Sequence, residues 1–202
     1  MALARFFSAN SCDMPRSDDL YALTLNLPAP LDDGACAHLP GLRLPAVALT
    51  STAGRLVDLS ALRGRVVVYC YPRTGRPDED PPPGWNEIPG ARGCTPQACA
   101  FRDHYRELEA LGAQVFGLSA QASADQCEAA ERLHLPYELL SDEGLAFAAA
   151  LRLPMFEAAG MRLIKRLTVI VRDGVVEKVF YPVFPPDRNA EQVLRWLSAK
   201  PN

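Results

Sequence analysis

The stretch that most constrains the fold of this chain is an unbroken apolar run at residues 66–71, Val-Val-Val-Tyr-Cys-Tyr. β-branched and aromatic residues favour strands, and a run without polar alternation is typical of a strand that is buried on both faces of a sheet. Gly64 precedes the run and Pro72 ends it. The run therefore predicts a central strand of a layered domain.

The segments after this strand alternate between helical and extended patterns. An apolar stripe with helical spacing predicts a helix over residues 96–111. Asp173-Gly174 is a strong hairpin signal between two apolar runs. The other predicted elements are extended pieces at 44–49 and 56–59, strands at 114–119, 137–140, 163–171 and 175–181, and helices at 123–133, 144–151 and 189–199. This order predicts an α/β thioredoxin-like fold, a central mixed sheet flanked by helices.

The chain has 202 residues, which suits a single domain with an appended segment. Residues 1–39 are polar or irregular with turn signals, so we expect an N-terminal arm there and the thioredoxin-like domain at residues 40–202. Residues 75–89 are acidic and rich in proline, which predicts a long surface loop that Trp85 attaches to the body.

Composition limits the partners and the location. Apolar residues make up 49% of the chain and the net charge is only -3, so nothing favours nucleic acid or an anionic membrane. No segment approaches the ~20 apolar residues of a membrane helix, and the first ten residues lack the apolar region of a secretory signal. We therefore expect a cytoplasmic protein, whose six cysteines are redox-active or buried more readily than disulfide-bonded.

One of those cysteines stands in the sequence Gly93-Cys94-Thr95-Pro96, and a second, Cys99, follows it five residues later. The glycine and the proline place Cys94 at a helix start, where free N–H groups and the positive end of the helix dipole favour a thiolate. We expect such a turn to be exposed. Cys99 is near enough to trap an oxidised first sulfur, a layout that indicates a thiol that reacts and is then recycled.

Two other interpretations of the pair are open. Zinc sites need four ligands, and the nearest candidates, His104 and Cys127, do not supply the usual spacing. Both thiols could instead be small buried residues, which suits Cys99 better than Cys94. We expect neither a metal nor an organic cofactor.

Five stretches of the chain carry a resemblance to a known family. They are residues 66–72 (Val-Val-Val-Tyr-Cys-Tyr-Pro), 93–99 (Gly-Cys-Thr-Pro-Gln-Ala-Cys), 116–119 (Phe-Gly-Leu-Ser), 139–142 (Leu-Leu-Ser-Asp) and 165–169 (Lys-Arg-Leu-Thr-Val). Over residues 40–197 the chain resembles the peroxiredoxins, most closely the bacterioferritin-comigratory or Q-type branch of the family.

The resemblance implies a function and two roles. Cys94 would be the peroxidatic cysteine and Cys99 the resolving cysteine of the same subunit, joined in a redox disulfide. The family reduces hydrogen peroxide and organic hydroperoxides without metal or flavin, with electrons from thioredoxin or a similar dithiol donor. We expect a monomer or a weak dimer.

The chain departs from the family pattern before Cys94. The family has proline seven residues and threonine or serine three residues before the reactive cysteine, where this chain has Glu87 and Ala91. Pro72 and Thr74 are the nearest equivalents, which makes the 75–89 loop an insertion after Thr74. We expect the Thr74 hydroxyl to reach the peroxide still. Thr95 is the alternative hydroxyl, although a threonine at a helix start is usually only a cap.

Arg166 is the predicted cationic residue of the site. The resemblance places it there, and strand alternation puts Arg166, Thr168 and Ile170 on one face. A permanently charged, multidentate guanidinium suits both thiolate stabilisation and peroxide binding. The alternative is a solvent-facing arginine beside Lys165. Arg92 is expected to be exposed in its loop.

The remaining cysteines and the histidines have ordinary interpretations. Cys70 is predicted to be buried in its strand and Cys127 to lie on a helix, while Cys12 and Cys36 belong to the arm. No histidine forms a visible triad with Cys94. The functional hypothesis is a thiol peroxidase. The alternatives are a thioredoxin-fold disulfide reductase, which normally carries a C-x-x-C pair that is missing here, and a peroxide sensor with little turnover.

Overall fold

The structure is a computed structural model that describes residues 20–23 and 26–200. Cys12 lies outside the described residues, so its assignment to the arm stays a prediction. The strands are β1 Ala48–Ser51, β2 Leu56–Asp58, β3 Arg65–Cys70, β4 Ala113–Ser119, β5 Glu138–Ser141, β6 Met155–Ala158, β7 Met161–Ile164, β8 Leu167–Arg172 and β9 Val175–Phe180. The helices are α1 Cys94–Asp103, α2 Tyr105–Ala110, α3 Ser123–Arg132, α4 Ala146–Ala150 and α5 Asn189–Ser198.

Seven strands form the central sheet, in the order β2-β1-β5-β4-β3-β8-β9. The neighbours β5, β4 and β3 run parallel, and the other pairs are antiparallel. Parallel neighbours require crossover connections, which α1 with α2 and α3 supply. The predicted α/β thioredoxin-like fold is confirmed.

Strand β3 is buried along its whole length, as its apolar run predicts. Val67 and Tyr69 face a core that also contains Phe101 of α1 and Val193 of α5. The alternate residues of β3 face a second core on the opposite side of the sheet, with Leu140 of β5, Phe147 of α4 and Val169 of β8. Helices α1 and α5 lie on the same face of the sheet, and the candidate site lies on that face.

The strand predicted at residues 163–171 is in fact two strands that belong to different sheets. β7 pairs with β6 in a separate hairpin, whereas β8 pairs with β3 and β9 in the main sheet. Between them, Lys165 donates its backbone N–H to Pro154 O at 2.8 Å. A continuous apolar pattern does not reveal where the chain changes sheets. This bend leaves Arg166 immediately before β8, at the corner of the sheet beside α1.

The helix predicted at residues 96–111 is likewise divided in two. α1 begins at Cys94, and His104 separates it from α2 with φ -98° and ψ 7°. Neither glycine nor proline stands at the break, so the sequence pattern gave no sign of it. The hairpin at Asp173-Gly174 is confirmed, because both residues have the positive φ, 50° and 78°, of a two-residue β-turn.

Part of the predicted arm packs against the domain. Cys36 and Leu39 are 5% and 0% exposed and belong to the core beneath β3. Asp33 accepts hydrogen bonds from Lys165 Nζ at 2.9 Å and from the Tyr181 hydroxyl at 2.8 Å, which together lower the pKa of Asp33 to about 2. The boundary between arm and domain at residue 39 stays a prediction. Within the described ranges, no helix is long and apolar enough to cross a membrane.

Candidate active site

The site is built at the N-terminus of α1, which begins at Cys94. Gly93 precedes the helix with φ 102°, in the left-handed region that favours glycine. A Cβ atom on Gly93 would lie 2.4 Å from Cγ of Pro186 and 2.9 Å from Cδ2 of Leu23. Glycine is therefore required here both by the backbone conformation and by the close approach of two other segments.

Cys94 lies against Arg166, whose Nη2 donates to Cys94 Sγ at 3.1 Å. The thiol in turn donates to Ala91 O at 3.6 Å. Cys94 is 4% exposed and Arg166 3%, so both the expected exposure of Cys94 and the alternative of a solvent-facing Arg166 are wrong. The helix start is covered because Leu23 and Pro186 pack on Gly93.

Arg166 has its other hydrogen bonds with uncharged groups. Within residues 20–23 and 26–200, no carboxylate lies within ion-pair distance of it, which is unusual for a buried cation. The sulfur of Cys94 is thus the contacting group that can become an anion. The other acceptors are Gly90 O at 3.3 Å, Ala91 O at 3.1 Å, Arg92 O at 3.2 Å and Gln97 Oε1.

Thr168 and Ile170 lie on the same face as Arg166, as strand alternation predicts. Thr168 Oγ1 donates to Asn189 Oδ1 at 2.6 Å, and Ile170 packs in the core between the sheet and helices α1 and α5. The alternation of residues in β8 therefore predicted correctly the face of the sheet on which Arg166 lies, although Arg166 itself precedes the strand.

A cavity of about 30 Å³ reaches Cys94 and Thr95 from the surface. One water needs roughly 10–15 Å³, so the cavity has room for a few water-sized groups. The 75–89 loop lines the cavity with prolines and Trp85 and also with charged side chains, and the cavity is bordered further by one leucine and two arginines: Arg76, Glu79, Asp80, Pro81, Pro82, Trp85, Leu20, Arg73 and Arg92.

Arg92 is not the exposed loop residue that the sequence predicts. It is only 6% exposed and borders the cavity. Its backbone oxygen accepts from Arg166, and its Nη1 donates to Asn86 Oδ1 at 3.4 Å. Arg92 therefore contributes to the site through its main chain as well as through its charge.

The two candidate hydroxyls have different surroundings. Thr74 is buried, and its backbone N–H and hydroxyl both donate to Gln121 Oε1, at 2.7 Å and 3.1 Å. Thr74 is not among the residues that line the cavity at Cys94, whereas Thr95 is. The role of Thr74 in binding peroxide stays a prediction, and the geometry favours Thr95.

Cys99 lies on α1 with Cys94 but in a different environment. It is half-buried at the edge of the core around Tyr69, and burial raises the pKa of its thiol. All five cysteines in the described ranges are free thiols. Burial also raises the pKa of Cys70 and, to about 12, that of Cys36, whereas Cys127 is exposed on α3.

The histidines lie away from the site. His104 Nδ1 pairs with Glu107 at 2.7 Å on the surface, and His38 Nε2 contacts Leu151 O at 2.9 Å. Neither these nor the exposed His134 contacts Cys94. In the part of the chain that the structure describes, no three histidine, cysteine or acidic side chains are grouped as metal ligands.

Sequence reasoning assigned no role to two residues that contact the site, Gln97 and Asn189. Gln97 is fully buried between Arg166 and Asn189, and its Nε2 donates to Asn189 Oδ1 at 2.9 Å. A signal for Gln97 existed, because a residue three positions after Cys94 shares its side of the helix. Asn189 had no comparable signal, since it lies 92 positions from Gln97.

Comparison with known proteins places the chain in a family. The model of the Redoxin family matches residues 39–194. Chloroplastic peroxiredoxin Q from Suaeda salsa is 35% identical over 156 residues, which are 77% of this chain and 65% of that protein. Its counterpart from Sedum lineare is also 35% identical, over 77% of this chain and 75% of that protein.

Solved structures agree with these sequence matches. Peroxidoxin BcpB from Mycobacterium tuberculosis is 28% identical with a TM-score of 0.67, covering 82% of this chain and 100% of that one. A peroxiredoxin Q from Xanthomonas campestris has a TM-score of 0.61 over 79% of this chain and 96% of that one, and at 24% identity it supports the fold alone. The chain belongs to the Redoxin family and, within it, to the Q-type peroxiredoxins.

Proposed function

We propose that this protein is a thiol peroxidase in which Cys94 attacks hydroperoxides. The observation that carries the proposal is the 3.1 Å contact between Cys94 Sγ and Nη2 of Arg166, a buried guanidinium that no carboxylate among the described residues neutralises. A buried cation next to a thiol stabilises the thiolate, the form that reacts. The start of α1 supports the same charge with its unpaired N–H groups.

The first step is a displacement at oxygen. The Cys94 thiolate gives an electron pair to the terminal oxygen of ROOH, the O–O bond breaks, and the RO⁻ fragment takes a proton to leave as alcohol, or as water when R is hydrogen. The sulfur is oxidised to a sulfenic acid and the peroxide is reduced. Negative charge spreads over both oxygens in the transition state, so fixed donors aimed at them accelerate the step.

Three donors surround the place where those oxygens would lie. Arg166 Nη2 already contacts the sulfur, and the first-turn N–H groups of α1 point out of the helix start beside it. Thr95 supplies a buried hydroxyl at the same cavity. We therefore assign Thr95, rather than Thr74, as the first hydroxyl to test, while Thr74 remains a second candidate.

The cavity supports hydrogen peroxide as a substrate, because it gives a small molecule access to Cys94 and Thr95. Organic hydroperoxides would place the peroxide group in the same position and extend the alkyl group toward the apolar wall of Leu20, Pro82 and Trp85. These side chains offer apolar contact without a fixed hydrogen-bond pattern, which suits a range of alkyl groups.

The second step is condensation with Cys99. The Cys99 thiol attacks the sulfenic sulfur, an S–S bond forms, and water leaves with the Cys99 proton. Five residues along α1 separate the two Cα atoms by ~7.5 Å of axial rise, beyond the reach of about 7 Å that a disulfide spans. The first turn of α1 must therefore unwind. Pro96 favours this, because it lacks an N–H and gives up no helical hydrogen bond.

A dithiol donor of the thioredoxin kind would then reduce the Cys94–Cys99 disulfide and become oxidised itself. We propose this donor, a cytoplasmic location and a monomeric or weakly dimeric state from the family resemblance and the composition. No metal or organic cofactor takes part in the proposed cycle.

The test is a coupled assay in which thioredoxin and thioredoxin reductase supply electrons and NADPH consumption follows the peroxide. A peroxidase consumes NADPH only when peroxide is present and loses the activity with Cys94→Ser. A disulfide reductase would instead reduce insulin without peroxide turnover. A sensor would consume about one equivalent of peroxide per chain and then stop. Either of the last two outcomes would refute the proposal.

A further inference from the structure

A short segment of the N-terminal region, residues 20–23, lies over the entrance to the Cys94 site. It precedes residues 39–194, the part of the chain that the Redoxin model matches. Leu20 lines the same cavity as Cys94, and Leu23 packs on Gly93 immediately before α1. We call residues 20–23 the leucine strap. The site therefore has one wall that the matched domain does not supply.

Two glycines that line the cavity receive the leucine strap. A Cβ atom on Gly75 would lie 3.1 Å from Cδ2 of Leu20, and one on Gly93 would lie 2.9 Å from Cδ2 of Leu23. Both distances are shorter than ordinary van der Waals contact between carbon atoms. The leucines thus approach the backbone at both glycines more closely than a larger residue would allow, and Leu20 closes the cavity beside Gly75.

The opposite wall of the cavity is firmly held. Trp85 is 6% exposed and forms a small apolar core with Ala91 and Leu163. Its ring also packs against Phe156 of β6, with the two ring centroids 6.3 Å apart. Displacing Trp85 would expose this core to water, which disfavours any movement of that wall.

The leucine strap is held more weakly than the Trp85 wall. Leu20 and Leu23 are only half-buried, and neither belongs to one of the three apolar cores of the described residues. Tyr21, between them, is 53% exposed, and its hydroxyl accepts a hydrogen bond from Arg132 Nη1 at 3.4 Å. Segments with few buried apolar contacts open at a lower free energy than core elements. The strap is therefore the wall that can move.

The size of the cavity makes this difference matter for the substrate. With about 30 Å³ of space, hydrogen peroxide can reach Cys94 while both walls stay in place. A hydroperoxide that puts its oxygens at Cys94 directs its alkyl group toward Leu20 and Trp85, where a bulky group such as cumyl exceeds the space. Because Trp85 is fixed, the alkyl group must displace Leu20.

We propose that Leu20 is a specificity-determining residue that ranks hydroperoxides by the size of their alkyl group. Hydrogen peroxide and small alkyl hydroperoxides react with the leucine strap in place, whereas bulky hydroperoxides react only after they displace it. This inference rests on the proposed function, because it assumes that Cys94 attacks hydroperoxides. It adds the substrate class that the site favours, which the chemistry of the thiol does not determine.

The experiment compares Leu20→Ala with Leu31→Ala in the full chain. Leu31 is a matched control, because it lies in the same N-terminal region and is 86% exposed. Second-order rate constants of Cys94 oxidation are measured with hydrogen peroxide and with cumene hydroperoxide, by rapid quenching, alkylation and mass spectrometry. For Leu20→Ala we expect the cumene hydroperoxide rate to rise by about tenfold, the scale of a methylene or more in an apolar pocket, and the hydrogen peroxide rate to stay within about twofold. Leu31→Ala should match the wild type with both substrates.

Leu20→Phe provides the opposite change, because a larger side chain narrows the cavity. We expect it to slow cumene hydroperoxide more than hydrogen peroxide. Leu20 is half-buried and outside the cores, so both variants should fold. An unchanged ratio of the two rate constants in Leu20→Ala would overturn the proposal, as would an equal increase with both substrates, since that would show a more exposed thiol without selection by size. Failure of the proposed function would appear differently, as absence of Cys94 oxidation by hydrogen peroxide in the wild type.

Discussion

Cys94 and Cys99 lie five residues apart on one helix, yet their surroundings have little in common. Cys94 is at the N-terminal end of α1, in contact with a buried guanidinium and with a small cavity. Cys99 is past the first turn, at the edge of an apolar core, where burial raises the pKa of its thiol. The sequence presents two similar thiols, and the fold makes them chemically different.

The difference indicates a division of roles within α1. A thiol kept protonated does not compete for peroxide, so we expect the first oxidation at Cys94 rather than at Cys99. In the proposed cycle we expect Cys99 to react with Cys94 only after the first turn of the helix unwinds. The rest of α1 is well anchored. The rings of Phe101 and Tyr69 stack with their centroids 4.5 Å apart, and the Tyr137 hydroxyl donates to Ala98 O at 2.8 Å. Unwinding is therefore expected to stay near the N-terminal end.

The strongest test of the comparison exchanges each sulfur for oxygen. Cys94→Ser should abolish peroxide consumption, because a serine hydroxyl is not ionised here and is a far weaker nucleophile. Cys99→Ser should still consume one equivalent of peroxide and then stop, with a sulfenic acid on Cys94 that a dimedone probe labels. Retention of more than about a tenth of the activity in Cys94→Ser would place the reactive thiol elsewhere.

The next test removes the charge that distinguishes the two environments. Arg166→Met should slow Cys94 oxidation by ~10²-fold or more, the usual scale for one transition-state donor. Arg166→Lys should also be impaired, since an ammonium cannot make the same set of hydrogen bonds as the planar guanidinium. The matched control is Arg162→Met, an exposed arginine on the neighbouring strand β7. Equal rates in wild type and Arg166→Met would contradict our assignment.

A third test asks whether α1 unwinds as the disulfide requires. Peroxide treatment should remove two titratable thiols per chain and increase amide hydrogen exchange across residues 94–102, with the largest increase before Phe101. In Cys99→Ser only one thiol should be lost and the helix should stay protected. A disulfide that maps to Cys70 or to another subunit would exclude Cys99 from the mechanism.

The smallest effect concerns the ionisation of Cys99 in the reduced protein. Its raised pKa means that the folded protein holds the Cys99 proton to higher pH than an exposed thiol would. Iodoacetamide should therefore alkylate Cys99 more slowly than the exposed Cys127 near neutral pH, with a gap that narrows as the pH rises. When the protein is oxidised with peroxide and then reduced under unfolding conditions, iodoacetamide should alkylate Cys99 and Cys127 at the same rate. Faster alkylation of Cys99 in the folded protein would contradict its buried environment.

Much of the fold followed from local patterns. The apolar run of β3, the hairpin at Asp173-Gly174 and the amphipathic stripe of the first helix region all depend on residues near each other in sequence. The pattern failed where the chain changes direction without glycine or proline, as at His104 and between β7 and β8. At such places tertiary packing decides whether the element continues or breaks, because a continuous and a broken element both satisfy the same periodicity.

The candidate site divides in the same way. Gly93 and Cys94 were recognisable, because a helix start is a local structure with local requirements. The exposure of Cys94 and Arg92 was mispredicted, since Leu23, Pro186 and the 75–89 loop reach the helix start from distant parts of the chain. The surroundings of Thr74 could not be predicted from local sequence either, because its hydroxyl donates to Gln121, which lies 47 positions away.

By itself, the sequence determined that a thiol stands at the start of a helix with a second thiol five residues on, and that Arg166 shares a face with alternate residues of the strand that follows it. Only the tertiary structure decided which groups hold that arginine: three backbone oxygens, one neutral amide from α1 and, through it, Asn189 of α5. The physical reason is that hydrogen bonds between residues 69 to 92 positions apart exist only once β8, α1 and α5 are packed together. Local sequence propensity carries no information about how these distant elements pack together.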